Sequence, residues 1–328
     1  MHQSCTSRPQ ILRLGIILIS VGLVACGSEP ETDGEDDGDA VSLETVPTLL
    51  SGGGSHTCAV DAEQSLHCWG DNRYGQLDTL AGSFVDISAG MRHVCGIDVA
   101  DVIHCWGDNA AGQSDPPEDR QFDVVSAGTI HSCGIESGGQ IRCWGDDDAG
   151  RTSAPGGTYA RISAGHDHTC ALDVDGEIAC WGSNLFGQSD GPDGHFVDIS
   201  VGARHSCAID VEGRIRCWGY SDVDEFDPAD PSVPDNSDEE DRIDPPAGEF
   251  EALSVGHDHS CALDVDGEVV CWGPDTSEAT AAPEGEFTAV TAGHGHGCAA
   301  EPEGAVRCWG DDTQGQSSPP EIDVEAGR

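Results

Sequence analysis

Lysine is absent from this 328-residue sequence: all 14 basic residues are arginine, set against 61 Asp and Glu, and the formal net charge is −47. So acidic a surface repels phosphate backbones and anionic lipid headgroups, which argues against nucleic acid and the bare membrane as partners. It favours solubility, divalent cations or basic proteins. No nucleophile elbow, HExxH, phosphate-binding glycine loop or EF-hand pattern occurs, so no standard catalytic or cofactor-binding set is present and no cofactor is expected. Long hydrophobic runs are scarce as well. The apolar stretch ILRLGIILISVGLVA, residues 11–25, is too short for a permanent membrane helix.

That stretch reads instead as an export signal. Arg8 and Arg13 supply a short basic region, and the run ends in LVAC, Leu23 to Cys26. This tetrapeptide resembles the lipobox of bacterial lipoproteins, which implies removal of residues 1–25 and acylation of Cys26 as the mature N-terminus. An ordinary cleaved signal with Cys26 incidental is the alternative. Gly27 rather than Asp follows, as in Gram-negative lipoproteins sorted to the outer membrane, so an outer-membrane or cell-surface location is expected. The mature chain then holds 12 Arg and 61 acids, a charge of −49. Residues 26–45 read as a solvated tether, since 28–40 (SEPETDGEDDGDA) hold seven acids, no base and almost nothing apolar to bury.

What is abundant is cysteine, and it repeats. After Cys5 and Cys26, fourteen cysteines fall into seven pairs ten apart. The pairs are Cys58 with Cys68, Cys95 with Cys105, Cys133 with Cys143, Cys170 with Cys180, Cys207 with Cys217, Cys261 with Cys271, and Cys298 with Cys308. Trp-Gly follows each second cysteine, which accounts for all seven tryptophans, and a His precedes each first cysteine by two positions. Successive units are 37 or 38 residues apart, except one gap of 54 that contains an insertion.

Each unit reads as short strands. In FVDISAG (84–90), alternation predicts Val85, Ile87 and Ala89 on one face. HTCALD (168–173) and EIACWG (177–182) flank Val174-Asp175-Gly176, a three-residue hairpin loop with Gly where a left-handed backbone is required. This register sets Leu172 opposite Ile178 and Cys170 opposite Cys180, with Cα atoms ~4.5–5.5 Å apart, within disulfide range. His-x-Cys…Cys also resembles zinc chemistry in a reducing cytosol. An exported chain meets an oxidising compartment, so seven hairpin disulfides are expected. DVDG at 173–176 and 264–267 carries too few ligands for a hard cation and reads as a turn.

Seven units of three or four strands predict an all-β, seven-bladed propeller spanning residues 46–328. The strand that carries the second cysteine and the Trp is expected to be an inner one, with both faces covered by neighbouring blades. Trp is therefore expected between blades, and the repeated His as a buried hydrogen-bonding residue. EIDVEAGR (321–328) and PTLLSGG (47–53) both match a first strand, so eight first strands serve seven hairpins. His166, His257 and His294, from GHDH and GHGH, add histidines that a closed ring gathers on one rim, weak candidates for a metal or proton-handling cluster. The insertion, residues 220–249, is rich in Asp and Pro and reads as a solvated loop. The sharper readings are a docking loop for a basic partner or a weak Ca²⁺ site.

The pattern G-x-x-H-[ST]-C-A-[LI]-D-x-[DE]-G-x-[IV]-x-C-W-G-x-N-x-x-G-Q resembles the repeat of the regulator of chromosome condensation family. Gly-Gln stands at 75–76, 112–113, 187–188 and 315–316; Gly150-Arg151 replaces it once, and two units lack it. The resemblance implies a seven-bladed propeller. The family's nuclear nucleotide-exchange and chromatin roles fit poorly with an exported acidic chain that has shorter, cysteine-paired repeats. A secreted bacterial member is a β-lactamase inhibitory protein, which implies that such a ring can grip another protein. The expected function is a monomeric, non-enzymatic interaction scaffold or inhibitor at the cell envelope, with an unknown protein partner. An enzyme of the propeller-lyase type, or a metal-binding protein using the rim histidines, is the alternative.

Overall fold

Asp173 begins the tight hairpin of the fourth unit: its Oδ1 accepts the backbone N–H groups of Asp175 and Glu177, both at 2.9 Å. Gly176 then adopts φ +84°, a conformation open to glycine at little cost. Leu172 consequently faces Ile178 and Cys170 faces Cys180. The same register recurs in every unit. Cys58 is bonded to Cys68, Cys95 to Cys105, Cys133 to Cys143, Cys170 to Cys180, Cys207 to Cys217, Cys261 to Cys271 and Cys298 to Cys308, with Cα atoms 4.0–4.1 Å apart. That is closer than the ~4.5–5.5 Å of unbridged opposed residues.

The computed structural model describes residues 49–118, 120–220, 243–274 and 277–320. Within them lie seven antiparallel three-stranded sheets, each in sequential strand order. Blade four, for example, comprises Tyr159–Ala164, His168–Asp173 and Ile178–Gly182. The strands span residues 49–70 in blade one, 84–107 in two, 122–145 in three, 196–219 in five, 250–272 in six and 289–310 in seven. The molecule is a seven-bladed β-propeller. Residues 1–48 with Cys26, residues 221–242 of the acidic insertion and the C-terminal 321–328 lie outside the described residues. Leu49–Gly52 forms the first strand of blade one, so the N-terminal candidate occupies that place.

Two expectations are corrected. In five first strands, the pairing shifts between the first and third residues, as between Phe84 and Asp86. This bulge sets two residues opposite one and rotates the start of the strand. Phe84, rather than Val85, therefore joins Ile87 and Ala89 in the core shared with blade one, while Val85 packs toward blade three.

The second correction concerns the strand that carries the second cysteine and the Trp. It is the outer strand of each sheet, because the first strands line the central channel. Cys68, Cys105, Cys143, Cys180, Cys217, Cys271 and Cys308 lie on it and are only half-buried, each packed at the margin of an inter-blade cluster. Their partners Cys58, Cys95, Cys133, Cys170, Cys207, Cys261 and Cys298 sit on the middle strand and are fully buried. Each disulfide thus ties a strand that has solvent on one side to one enclosed by the sheet. Trp is nevertheless buried between blades: Trp181 is 8% exposed and packs on Cys133 and Ile135 of blade three.

One relay of hydrogen bonds explains why His, Ser/Thr, Trp and Gly-Gln recur together. Gln113 O, leaving blade two, accepts Trp144 Nε1–H at 2.9 Å and Ser132 Oγ–H at 3.0 Å, both from blade three. Ser132 Oγ lies 2.8 Å from His93 Nε2 of blade two. The hydroxyl proton is committed to the carbonyl, so the imidazole donates and is the neutral Nε2–H tautomer. Equivalent His–hydroxyl contacts of 2.7–2.9 Å join His131 to Thr169, His168 to Ser206, His205 to Ser260 and His296 to Thr57. The His205–Ser260 contact keeps blades five and six in register across the insertion.

Burial explains the chemistry of these rings. It pushes His56 and His93 down to about 4, and His131, His168 and His296 to about 3, because a charged imidazole there loses its water. All five are neutral and structural, and His93, His131, His168 and His296 donate to a hydroxyl of the next blade.

Candidate functional site at the channel mouth

Glycine brings the blades together at the axis. A Cβ on Gly90 would sit 2.3 Å from Gly128 O and 2.6 Å from His93 Cε1, and similar carbonyl approaches pass around the ring to Gly293 and Gly53. The residue after each ring glycine faces one end of the channel: Gly54, Met91, Thr129, His166, Ala203, His257 and His294. Backbone bonds stitch these positions together, for example His257 N–H to Gly293 O at 3.2 Å and His294 N–H to Gly53 O at 3.1 Å.

Three of the seven mouth positions are thus histidine, and they gather as the repeat predicts. The rings of His257 and His294 are 4.1 Å apart and tilted, and His166 meets His257 edge-on at 6.2 Å. His166 Nδ1 is 2.9 Å from Asp167, and His257 Nδ1 is 2.8 Å from Asp258. Partial burial, and then the neighbouring His257, hold His294 below the ordinary imidazole range. Among the described residues, His166, His257 and His294 included, no three His, Cys, Asp or Glu are arranged to hold a metal ion. The physical reason is that two rings lie against one another and two Nδ1 atoms already face carboxylates.

Arg151 belongs to this mouth although its sequence gives little sign of it. It replaces the glutamine of Gly-Gln, whose Oε1 elsewhere accepts a backbone N–H two residues earlier, as Gln188 does from Phe186 at 2.8 Å. Arginine cannot accept. Its guanidinium, 4% exposed, instead lies 3.1 Å from Asp167, the carboxylate that orients His166. A substitution in an otherwise regular motif was the available signal.

The loops that follow the third strands carry exposed large side chains at Tyr74, Leu185 and Phe186, with Leu185 85% exposed. They occupy the two positions before Gly-Gln, where other blades have Ala110-Ala111, Asp148-Ala149 or Thr313-Gln314. The scaffold beneath repeats, whereas these tips do not.

Comparison with known proteins agrees with this architecture. The "Regulator of chromosome condensation (RCC1) repeat" matches residues 48–76, 159–188, 196–223, 250–276 and 287–316. Among solved structures, the ectodomain of the Physcomitrella patens receptor kinase CR4 is similar, with 24% identity and a TM-score of 0.65 over 80% of this chain and 72% of that one. The CRINKLY WD40 ectodomain of the Arabidopsis thaliana receptor kinase ACR4 has 23% identity and a TM-score of 0.64 over 81% of this chain and 98% of its own. Prp20p from Saccharomyces cerevisiae has 17% identity and a TM-score of 0.62 over 76% and 81%. No curated protein matches the chain in sequence. At these identities the likeness to solved structures concerns the fold.

Proposed function

Because the RCC1 repeat matches five stretches of this chain and seven such sheets form the ring, we propose that it is a binding scaffold whose loop face, around the channel mouth, holds a protein partner. One observation carries this reading. On a repeated scaffold, the positions before Gly-Gln vary from blade to blade and leave Leu185, Phe186 and Tyr74 exposed on one face. A rigid ring with variable tips is suited to recognition. Yeast Prp20p, similar in fold, is described with binding properties to Gsp1p and histones, and its complex with Kap60 is solved. Those partners belong to that protein; the shared element is a propeller that presents a face to another protein.

The same proposal places the protein at the cell envelope as an exported monomer acylated at Cys26, with residues 26–45 as its tether. The LVAC motif and the acidic composition of the tether support it. Intact mass of detergent-extracted protein tests the anchor: a diacyl- or triacyl-modified chain beginning at Cys26 is expected, and an unmodified soluble N-terminus overturns it. Crosslinking from envelope extracts tests the scaffold. A specific partner is expected with the wild-type ring and not with Leu185→Asp/Phe186→Asp; equal recovery with both removes the loop face from the account.

A further inference from the structure

Among the described residues, eight of the ten arginines are in ion pairs with carboxylates, as expected where acids outnumber bases so heavily. Arg92 and Arg204 are the two that are not. They occupy one repeat position, immediately before the structural His93 and His205, where the other blades have Ser, Ile, Asp, Asp and Gly. Both are exposed, and their side chains donate no hydrogen bond within the described residues.

Each instead lies over an aromatic ring of the preceding blade's loop. Arg92 Cζ is 4.7 Å from the Tyr74 centroid. Arg204 Cζ is 5.3 Å from Phe186 and 5.6 Å from Tyr220, whose rings meet edge-on at 5.2 Å. The stagger between blades that carries each Trp to the preceding carbonyl also carries these arginines onto the preceding ring. A guanidinium held on a ring face is positioned with little loss of rotamer freedom, and its N–H edge stays available for a bidentate carboxylate.

We propose that these two arginine–aromatic pairs are recognition sites for a partner segment that carries a carboxylate beside an aromatic or aliphatic side chain. Charge complementarity selects this occupant. The sequence holds carboxylates in large excess, yet among the described residues two guanidiniums are without one, each beside exposed apolar area. A basic segment would meet repulsion at these points, and a purely apolar one would bury a guanidinium unpaired. Arg and aromatic side chains are also the residue types enriched where interfaces bind tightly. The inference deepens the loop-face reading above and rests on it.

The test needs no identified partner. N-acetyl-phenylalanine joins a carboxylate to an aromatic ring, and its amide lacks the charge. Titration of each into ¹⁵N-labelled mature protein, followed at the arginine Nε–Hε resonances and at the backbone amides of Phe186 and Tyr220, should give saturable shifts at Arg92 and Arg204 with the acid. The expected Kd is about 1–10 mM, as suits so small a ligand, with binding at least about fivefold weaker for the amide. Arg204→Gln should abolish the response at Phe186 and Tyr220 while Arg92 still responds, which also shows that the ring is folded. Equal binding of acid and amide, no saturable shift up to about 50 mM, or an unchanged Phe186 response in Arg204→Gln overturns the proposal. A partner captured through the loop face in spite of such a result would leave the scaffold reading standing and remove this chemistry alone.

Discussion

Thr57 Oγ1 lies 2.8 Å from His296 Nε2 although 239 positions separate the two residues. The same hydroxyl reaches Gln316 O at 3.2 Å, and Trp69 Nε1–H reaches that carbonyl at 2.9 Å. Blade seven and blade one are therefore joined by the same relay used between interior blades, and the ring closes by repetition of one junction.

Thr57→Val keeps the shape and removes the acceptor of a buried imidazole N–H. A loss of about 1–3 kcal/mol is expected in urea unfolding, the range for leaving one buried partner unsatisfied. The reverse change is available at the next junction. Val94 occupies the position where Thr57, Ser132, Thr169, Ser206 and Ser260 supply the hydroxyl, and neither ring nitrogen of His56 has a hydrogen-bond partner. Val94→Thr should stabilise by about 1 kcal/mol; a loss would show that the relay contributes nothing at that site.

Acid should unfold the ring above its sequence pI of about 4.1. In the folded state, His56 and His93 titrate near 4 and His131, His168 and His296 near 3, whereas in the unfolded chain they titrate near 6.5. The unfolded chain binds more protons between those limits. The stability held by the neutral rings is thus complete above about pH 6.5 and is lost as pH falls toward 3–4. At pH 5 each ring costs about 2 kcal/mol, about 10 for the five, comparable to the whole stability of a domain. Tryptophan fluorescence across urea at pH 7 and pH 5 checks this. Equal midpoints would refute it.

Asp198 has the opposite sign. Burial raises its carboxyl to about 6, partly offset by Arg161 at 3.8 Å. A raised folded pKa means that stability is complete below about pH 4 and falls as pH rises through 6. Asp198→Asn should therefore stabilise the protein by about 1–3 kcal/mol at pH 7 and by little at pH 4. The two-pH comparison separates this effect from a general packing change.

Gly90→Ala tests the crowding at the axis. Its Cβ would lie 2.3 Å from a backbone carbonyl that is itself part of the ring. Overpacking against backbone is expected to cost more than about 3 kcal/mol and to reduce soluble yield sharply. A variant of wild-type stability would mean that adjacent blades can separate at little cost.

Removal of one hairpin clamp, as Cys170→Ser/Cys180→Ser, should lower stability by ~2–3 kcal/mol on the chain-entropy account. The loss should be local, with the other six bridges intact by non-reducing peptide mapping.

The hairpins were legible in the sequence because their determinants are local. A spacing of ten, a turn glycine such as Gly176 and the alternation around it settle the register of Cys170 and Cys180 within one short segment. The blade count followed from the period. The bulge at Phe84 was not legible, since alternation in FVDISAG assumes an unbroken pleat. Nor was the unequal burial of Cys170 and Cys180, because the spacing says which residues pair and not which strand faces outward. The rim histidines were legible only in part, for a related reason. Spacing predicts that His166, His257 and His294 gather, while ring orientation depends on Asp167, Asp258 and mutual stacking.

What the sequence determined by itself is the repeat: which residues pair across each hairpin, and that seven such units stand in line. What only the tertiary structure decided is what each unit does to its neighbour. The hydroxyl after one His serves the His of the preceding blade, Trp144 answers to Gln113, and Arg204 lies over Phe186, with intervals of 18 residues or more between partners. No local propensity encodes those pairings. They follow from the stagger of packed sheets about a glycine-lined axis, where backbone meets backbone and each buried donor must find its acceptor on the adjacent blade.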